Sequence, residues 1–193
     1  MTTPPDLGVY VHWPYCARIC PYCDFNVFKD RAGGAEQAEL ARAIVADLEA
    51  QAAITGPRSL VSVFLGGGTP SLMDPAWAGE IVEAARRLWS PAPDLEVTLE
   101  ANPSSVEAAR FADLAAAGVN RVSLGVQALD DDVLRFLGRR HDAAEALAAL
   151  DAAQRQFDRV SFDLIYARPE QTVADWRSEL ARAIAFGTGH LSV

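Results

Sequence analysis

Tyr10-Val11-His12-Trp13-Pro14-Tyr15-Cys16-Ala17-Arg18-Ile19-Cys20-Pro21-Tyr22-Cys23 runs from a short apolar strand straight into three closely spaced cysteines. Their spacing is C-x3-C-x2-C, and the chain has no others. An odd, clustered set is a poor disulfide framework and a good metal site. One such loop can wrap a [4Fe–4S] cluster with three thiolates, Cys16, Cys20 and Cys23, leaving one iron open to a small molecule. Zinc is the alternative, with His12 as fourth ligand, although structural zinc prefers two separated ligand pairs. A redox pair of Cys20 and Cys23 is a third reading. His12 is read as a hydrogen-bonded support rather than a ligand.

Outward from this loop, apolar, mostly β-branched runs at 8–12, 60–65, 96–100, 121–125, 160–165 and 190–193 suit parallel strands buried on both faces. Helical patterns at 35–53, 76–89, 105–117, 143–156 and 172–186 alternate with them, and 130–137 reads as an extra short helix. Asp74-Pro75 and Pro103-Ser104-Ser105 supply helix starts, and Gly118 and Gly187 suit helix ends. Six such repeats allow a doubly wound sheet or a (β/α) barrel. Polar residues recur at the C-terminal end of nearly every strand. That is how a barrel builds its active face, whereas a doubly wound sheet concentrates them at one switch point. The expected fold is therefore α/β, a partial (β/α)6 barrel open at one side. The last strand stops at Val193 with no following helix, so residues 1–193 are expected to be the N-terminal core domain of a longer protein, cut in or just after its sixth strand.

The 193-residue chain carries a net charge of −9, which argues against non-specific nucleic-acid binding. It contains no apolar run of membrane-spanning length. Met1-Thr2-Thr3-Pro4-Pro5-Asp6 lacks the form of a signal peptide, and a cytoplasmic protein is expected. Trp77, Trp89 and Trp176 fall on helical faces as packing residues.

C-x3-C-x2-C after a first strand resembles the signature of radical S-adenosylmethionine (SAM) enzymes. The segment from Tyr10 to Cys16 is similar to the oxygen-independent coproporphyrinogen III oxidase family. So are Gly66-Gly67-Gly68-Thr69-Pro70-Ser71, Glu100-Ala101-Asn102-Pro103, Gly125-Val126-Gln127 and Asp163-Leu164-Ile165-Tyr166. The oxidase has a further cysteine two residues after the third, where this chain has Phe25. That departure resembles the haem chaperone branch, HemW. Ala167 stands where glycine is commoner, which is expected to exclude an easy positive φ.

The resemblance implies a cluster on the three cysteines with SAM chelating its open iron, so that an electron from the cluster can cleave the S–C5′ bond. The glycine triplet by itself reads as a tight turn or as a close backbone approach to a ligand. The resemblance places Gly67, Gly68 and Thr69 against the SAM amino group and Glu100 against its polar part. Glu100 is otherwise a candidate helix cap, a role Asn102 and Ser104 fill better. The resemblance puts Tyr10 beside SAM at the cluster, Tyr22 near its adenine, and Gln127 and Asp163 at SAM or a second small molecule. Arg139 either adds charge at a helix C-terminus, worth about 0.3–1 kcal/mol, or contacts a carboxylate-bearing ligand. The implied function is haem transfer to an acceptor protein; the alternative is radical decarboxylation of a porphyrinogen. Implied partners are haem or porphyrin and an electron donor such as a flavodoxin or ferredoxin. The haem-binding segment is expected beyond Val193.

Overall fold

The computed structural model describes residues 4–30 and 34–193; the N-terminal residues 1–3 lie outside it. In chain order the elements are β1 (Leu7–Trp13), β2 (Tyr15–Cys16), β3 (Phe28–Lys29), α1 (Gly34–Thr55), β4 (Ser59–Gly67), a 3-10 turn (Pro70–Leu72), α2 (Pro75–Leu88), β5 (Ser90–Ala101), α3 (Ser105–Ala108), α4 (Phe111–Ala116), β6 (Arg121–Gln127), α5 (Asp131–Phe136), α6 (Ala143–Gln156), β7 (Arg159–Leu164), α7 (Val173–Ile184) and β8 (His190–Ser192). No helix among the described residues is long and apolar enough to cross a membrane.

Six strands form one sheet in the order β1-β4-β5-β6-β7-β8, every pair parallel. The order never reverses, so the sheet has no switch point of the doubly wound kind. It is a partial α/β barrel wall, as the distribution of polar residues suggested.

Alternate strand residues make the core. Leu60, Val63, Leu65, Val97, Leu99, Val122, Leu124 and Phe162 are essentially sealed from water. The helices reach this sheet through small faces, Ala78, Ile81, Val82 and Ala85 on α2 and Ala146, Ala149, Leu150 and Ala153 on α6. Asp74 caps α2 ahead of Pro75, and Ser104 caps α3. Capping boxes start α6 (Asp142 with Glu145) and α7 (Thr172 with Asp175). Each satisfies two backbone donors left over by helix geometry. The tryptophans pack as expected: Trp77 lies 6.4 Å from buried Trp13, Trp89 donates its indole N–H to Thr55 at 3.0 Å, and Trp176 stacks on Tyr166.

The structure departs from the sequence reading in four places. The helix expected at 105–117 is two helices, α3 and α4, broken at Ala109-Arg110. There the Arg110 guanidinium donates to Met73 O at 2.7 Å while Phe111 turns into the core against Phe157. β5 begins six residues earlier than expected, at Ser90. Its Pro91 and Pro93 are tolerated because β6 pairs only with Thr98–Ala101, so no ladder partner is lost on that side. Two-residue strands β2 and β3 form an unanticipated second sheet inside the cysteine loop. Finally, Ala167 does adopt a positive φ, 56°. The neighbouring Arg168 is locked to Glu179 by a buried ion pair, and Glu179 also accepts Leu129 N–H at 3.0 Å. This staple holds the alanine in a conformation that glycine would take more easily.

Candidate functional site

At the C-terminal ends of the strands lies a cavity of about 500 Å³, walled by the cysteine loop on one side and the strand ends on the other. Cys16, Cys20 and Cys23 all line it, none in a disulfide. So do Tyr22, Gly67, Gly68, Thr69, Glu100, Gln127, Arg139 and Asp163. Tyr10 does not: it stacks on Phe64 with ring centroids 6.0 Å apart, and its hydroxyl lies 3.1 Å from His12 Nδ1.

Backbone hydrogen bonds fix both flanks of the loop. Phe28 N–H donates to Pro14 O (2.8 Å) and Asp30 N–H to Cys16 O (2.9 Å). From the other side Gly68 N–H donates to Trp13 O (2.6 Å) and Thr69 N–H to Tyr15 O (2.9 Å). A Cβ on Gly68 would fall 2.6 Å from Tyr15 O, so only glycine lets the two backbones meet. Gly67 has φ 105°, and a Cβ there would stand 2.5 Å from the His12 ring. His12 itself is engaged at both nitrogens, since Nε2 lies 2.8 Å from Asn26 O. It braces the loop and is not free to serve as a zinc ligand.

Around the sulfurs the polar groups are specific. The Thr69 hydroxyl donates to Cys16 Sγ at 3.6 Å. Burial, partly offset by that hydroxyl, pushes the Cys16 thiol up. Arg139 leaves the end of α5 and enters the cavity rather than staying on a helix terminus. Its Nη1 lies 3.4 Å from both Cys20 Sγ and the Tyr22 hydroxyl, and its Nη2 donates to Asn102 Oδ1 (2.7 Å) and Gly125 O (2.6 Å). Desolvation, opposed by Arg139 and supported by Cys20, pushes the Tyr22 phenol up to about 12.

Deeper in, the Glu100 carboxylate accepts Gly67 N–H at 3.0 Å. Burial raises its pKa against that hydrogen bond, and the charge of Asp163 raises it further. Asp163 accepts from Ser123 Oγ at 3.4 Å, and burial raises it as well. Gln127 sits at φ 72°, at the end of a register shift between β6 and β7. A non-glycine residue held there costs about 1–3 kcal/mol, and such strain gathers at ligand sites.

Two participants escaped sequence reasoning. Asn102 is not a helix cap: it joins Arg139 to Thr69, donating through Nδ2 at 3.3 Å. Glu107 is a buried carboxylate that accepts from Asn102 N (2.6 Å), Ser71 Oγ and Ser104 Oγ, clamping the strand end to the glycine turn. An S-x-x-E capping pattern was the only signal for it.

Among the described residues no three His, Cys, Asp or Glu side chains are grouped to hold a single metal ion. The chemistry of the donor set is that of an iron–sulfur cluster: three thiols outside any disulfide line one cavity, a guanidinium and a hydroxyl face two of the sulfurs, and among the described residues Arg139 Nε is buried with no partner. Comparison with known proteins agrees in class. Residues 10–183 match the Radical SAM superfamily, and the chain belongs to that family.

Particular relatives narrow the neighbourhood. The mitochondrial Radical S-adenosyl methionine domain-containing protein 1 of Bos taurus is 44% identical over 187 residues, 96% of this chain and 42% of that protein. The protein named heme chaperone HemW of Escherichia coli K12 is 37% identical over 192 residues, 97% of this chain and 50% of that one. Among solved structures, coproporphyrinogen III oxidase (HemN) from Escherichia coli, described as a radical SAM enzyme, matches with a TM-score of 0.83 at 28% identity, covering 97% of this chain and 43% of its own. The chain thus spans half or less of the length of these relatives.

Proposed function

We propose that residues 1–193 are the cofactor-binding core of a haem chaperone: Cys16, Cys20 and Cys23 hold a [4Fe–4S] cluster, SAM occupies the cavity behind it, and the protein passes haem to an acceptor. The observation that carries this reading is the convergence of three free thiols, Arg139, Glu100 and Asp163 on one cavity. The bound cluster supplies an electron for reductive cleavage of SAM. The chain's own residues supply the rest. Arg139 places positive charge beside Cys20 Sγ. Glu100 keeps one oxygen on Gly67 N–H and has the other available for an ammonium group of SAM. Gly67 and Gly68 bring backbone to the cavity wall, and Gln127 and Asp163 reach it from β6 and β7.

Chaperone is favoured over oxidase on two counts. Identity to the protein named heme chaperone HemW, 37%, exceeds the 28% to the oxidase, and Phe25 lines the cavity where the oxidase pattern has another cysteine. The 0.83 TM-score to the oxidase supports the second reading, anaerobic decarboxylation of coproporphyrinogen. One experiment separates them. Full-length protein with its cluster rebuilt anaerobically is given SAM, a reductant such as flavodoxin and either haem or coproporphyrinogen. Haem binding and transfer to an apo-acceptor, without consumption of coproporphyrinogen, is the expected result. The reverse result establishes the oxidase.

A further inference from the structure

Above the polar floor, the mouth of the cavity has a different character. Ile19, Phe25 and Val106 line it while remaining 44%, 59% and 66% exposed. They come from two separate elements, the cysteine loop and α3. Apolar groups grouped on a concave rim, rather than scattered, mark a surface with a partner.

Two cations stand in the same mouth. Arg18 and Arg140 both line the cavity and are exposed. Arg18 Nη2 approaches to 3.8 Å from the position a Cβ on Gly138 would take, which sets it beside the Arg139-Arg140 segment. Among the described residues neither side chain makes a hydrogen bond or an ion pair. Arg139, by contrast, spends its guanidinium on Cys20, Tyr22, Asn102 and Gly125. Glu145, an acidic group of the same lining, accepts the backbone N–H of Asp142 in its capping box. In a chain of net charge −9, two free guanidinium groups over an apolar rim form a local exception. Guanidinium forks match carboxylates in shape and charge.

The geometry points to this mouth as a seat for haem: the macrocycle lies on Ile19, Phe25 and Val106, and its propionates pair with Arg18 and Arg140. The inference rests on the haem-carrying reading above. It adds that part of the cargo's contact surface lies within this chain, over the cluster loop, where the sequence placed the haem segment beyond Val193.

The test is haem titration of full-length, cluster-loaded protein, read by absorbance, in the parent, in Val106→Asp and in Arg18→Glu/Arg140→Glu. Val106→Asp is expected to weaken haem binding about tenfold, the worth of one apolar contact, and the double charge reversal, which removes two ion pairs, at least as much. Haem dimethyl ester, lacking free propionates, is expected to bind the parent about tenfold more weakly than haem and to bind the charge-reversed variant no worse than haem does. Iron content and SAM affinity report folding. Should a variant lose iron, Val106→Ser and Arg140→Gln replace it, with smaller losses in the same direction. If the parent binds haem and the variants match it, the seat is elsewhere and the chaperone reading stands. If the parent binds no haem, the chaperone reading and the seat fall together. If esterification weakens parent and charge-reversed protein equally, the arginines do not hold the propionates.

Discussion

The carboxylate of Glu100, at the end of β5, accepts the backbone N–H of Gly67, at the end of β4, over 3.0 Å. The bond crosses from one strand to its neighbour at the cavity wall and leaves one carboxylate oxygen for a ligand. Glu100→Ala removes that oxygen without touching a cysteine. SAM affinity is expected to fall about tenfold to a hundredfold, the worth of one charged hydrogen bond, with iron content unchanged. Calorimetric titration with SAM beside iron analysis checks it; undiminished SAM affinity would place the amino group elsewhere.

The cysteines are expected to behave as a set. Alanine at Cys16, Cys20 or Cys23 should prevent stable assembly of a cluster of about four irons and four sulfides. Anaerobic reconstitution followed by iron and sulfide determination is the measurement. A full cluster in all three single variants would refute the ligand assignment.

Gly67 and His12 are predicted to be coupled. Gly67→Ala combines a left-handed φ, worth about 1–3 kcal/mol of strain, with a Cβ 2.5 Å from the His12 imidazole. Truncating the ring relieves the clash but not the strain. In a double-mutant cycle, His12→Ala/Gly67→Ala should therefore be less destabilised than the sum of the single changes. Denaturant unfolding of the four proteins gives the answer, and strict additivity would mean that the ring yields freely.

Glu107 predicts a pH dependence. Burial holds its carboxyl above the ordinary glutamate range, against the opposing pull of donors from Ser71, Asn102 and Ser104. The folded state thus grips the proton more tightly than the unfolded state. Its contribution is complete below the ordinary range and is lost as pH rises through the raised value. Glu107→Gln forfeits some hydrogen bonding at every pH but removes that slope. Thermal melts across this window should show the parent losing ground to the variant as pH rises. Glu100 and Asp163, raised in the same way, leave a residual slope in both proteins.

The strands and the cysteine loop were legible because their signals are local: apolar β-branched runs, and ligands a few residues apart. What was missed depends on distant partners. The break at Ala109-Arg110 answers to Met73 O, the positive φ of Ala167 to the Arg168–Glu179 pair, and the role of Asn102 to Arg139, 37 residues away. The first and last of these contacts each span 37 residues, beyond any local window, and the Arg168–Glu179 pair, 11 residues apart, leaves no periodic trace in the sequence. The β2–β3 ladder was invisible for a different reason, since two-residue strands have no periodicity to read.

That small ladder changes the thermodynamics of loading. With Pro14 and Cys16 hydrogen-bonded to Phe28 and Asp30, and the Trp13 and Tyr15 carbonyls held by Gly68 and Thr69, the chain on either side of residues 17–27 is already in place. The loop-closure entropy, which for a free loop of this length a metal would have to overcome, is met by folding instead. A cluster held by the three cysteines, as proposed, would meet a hoop rather than a tether, and more of its binding free energy would remain as affinity.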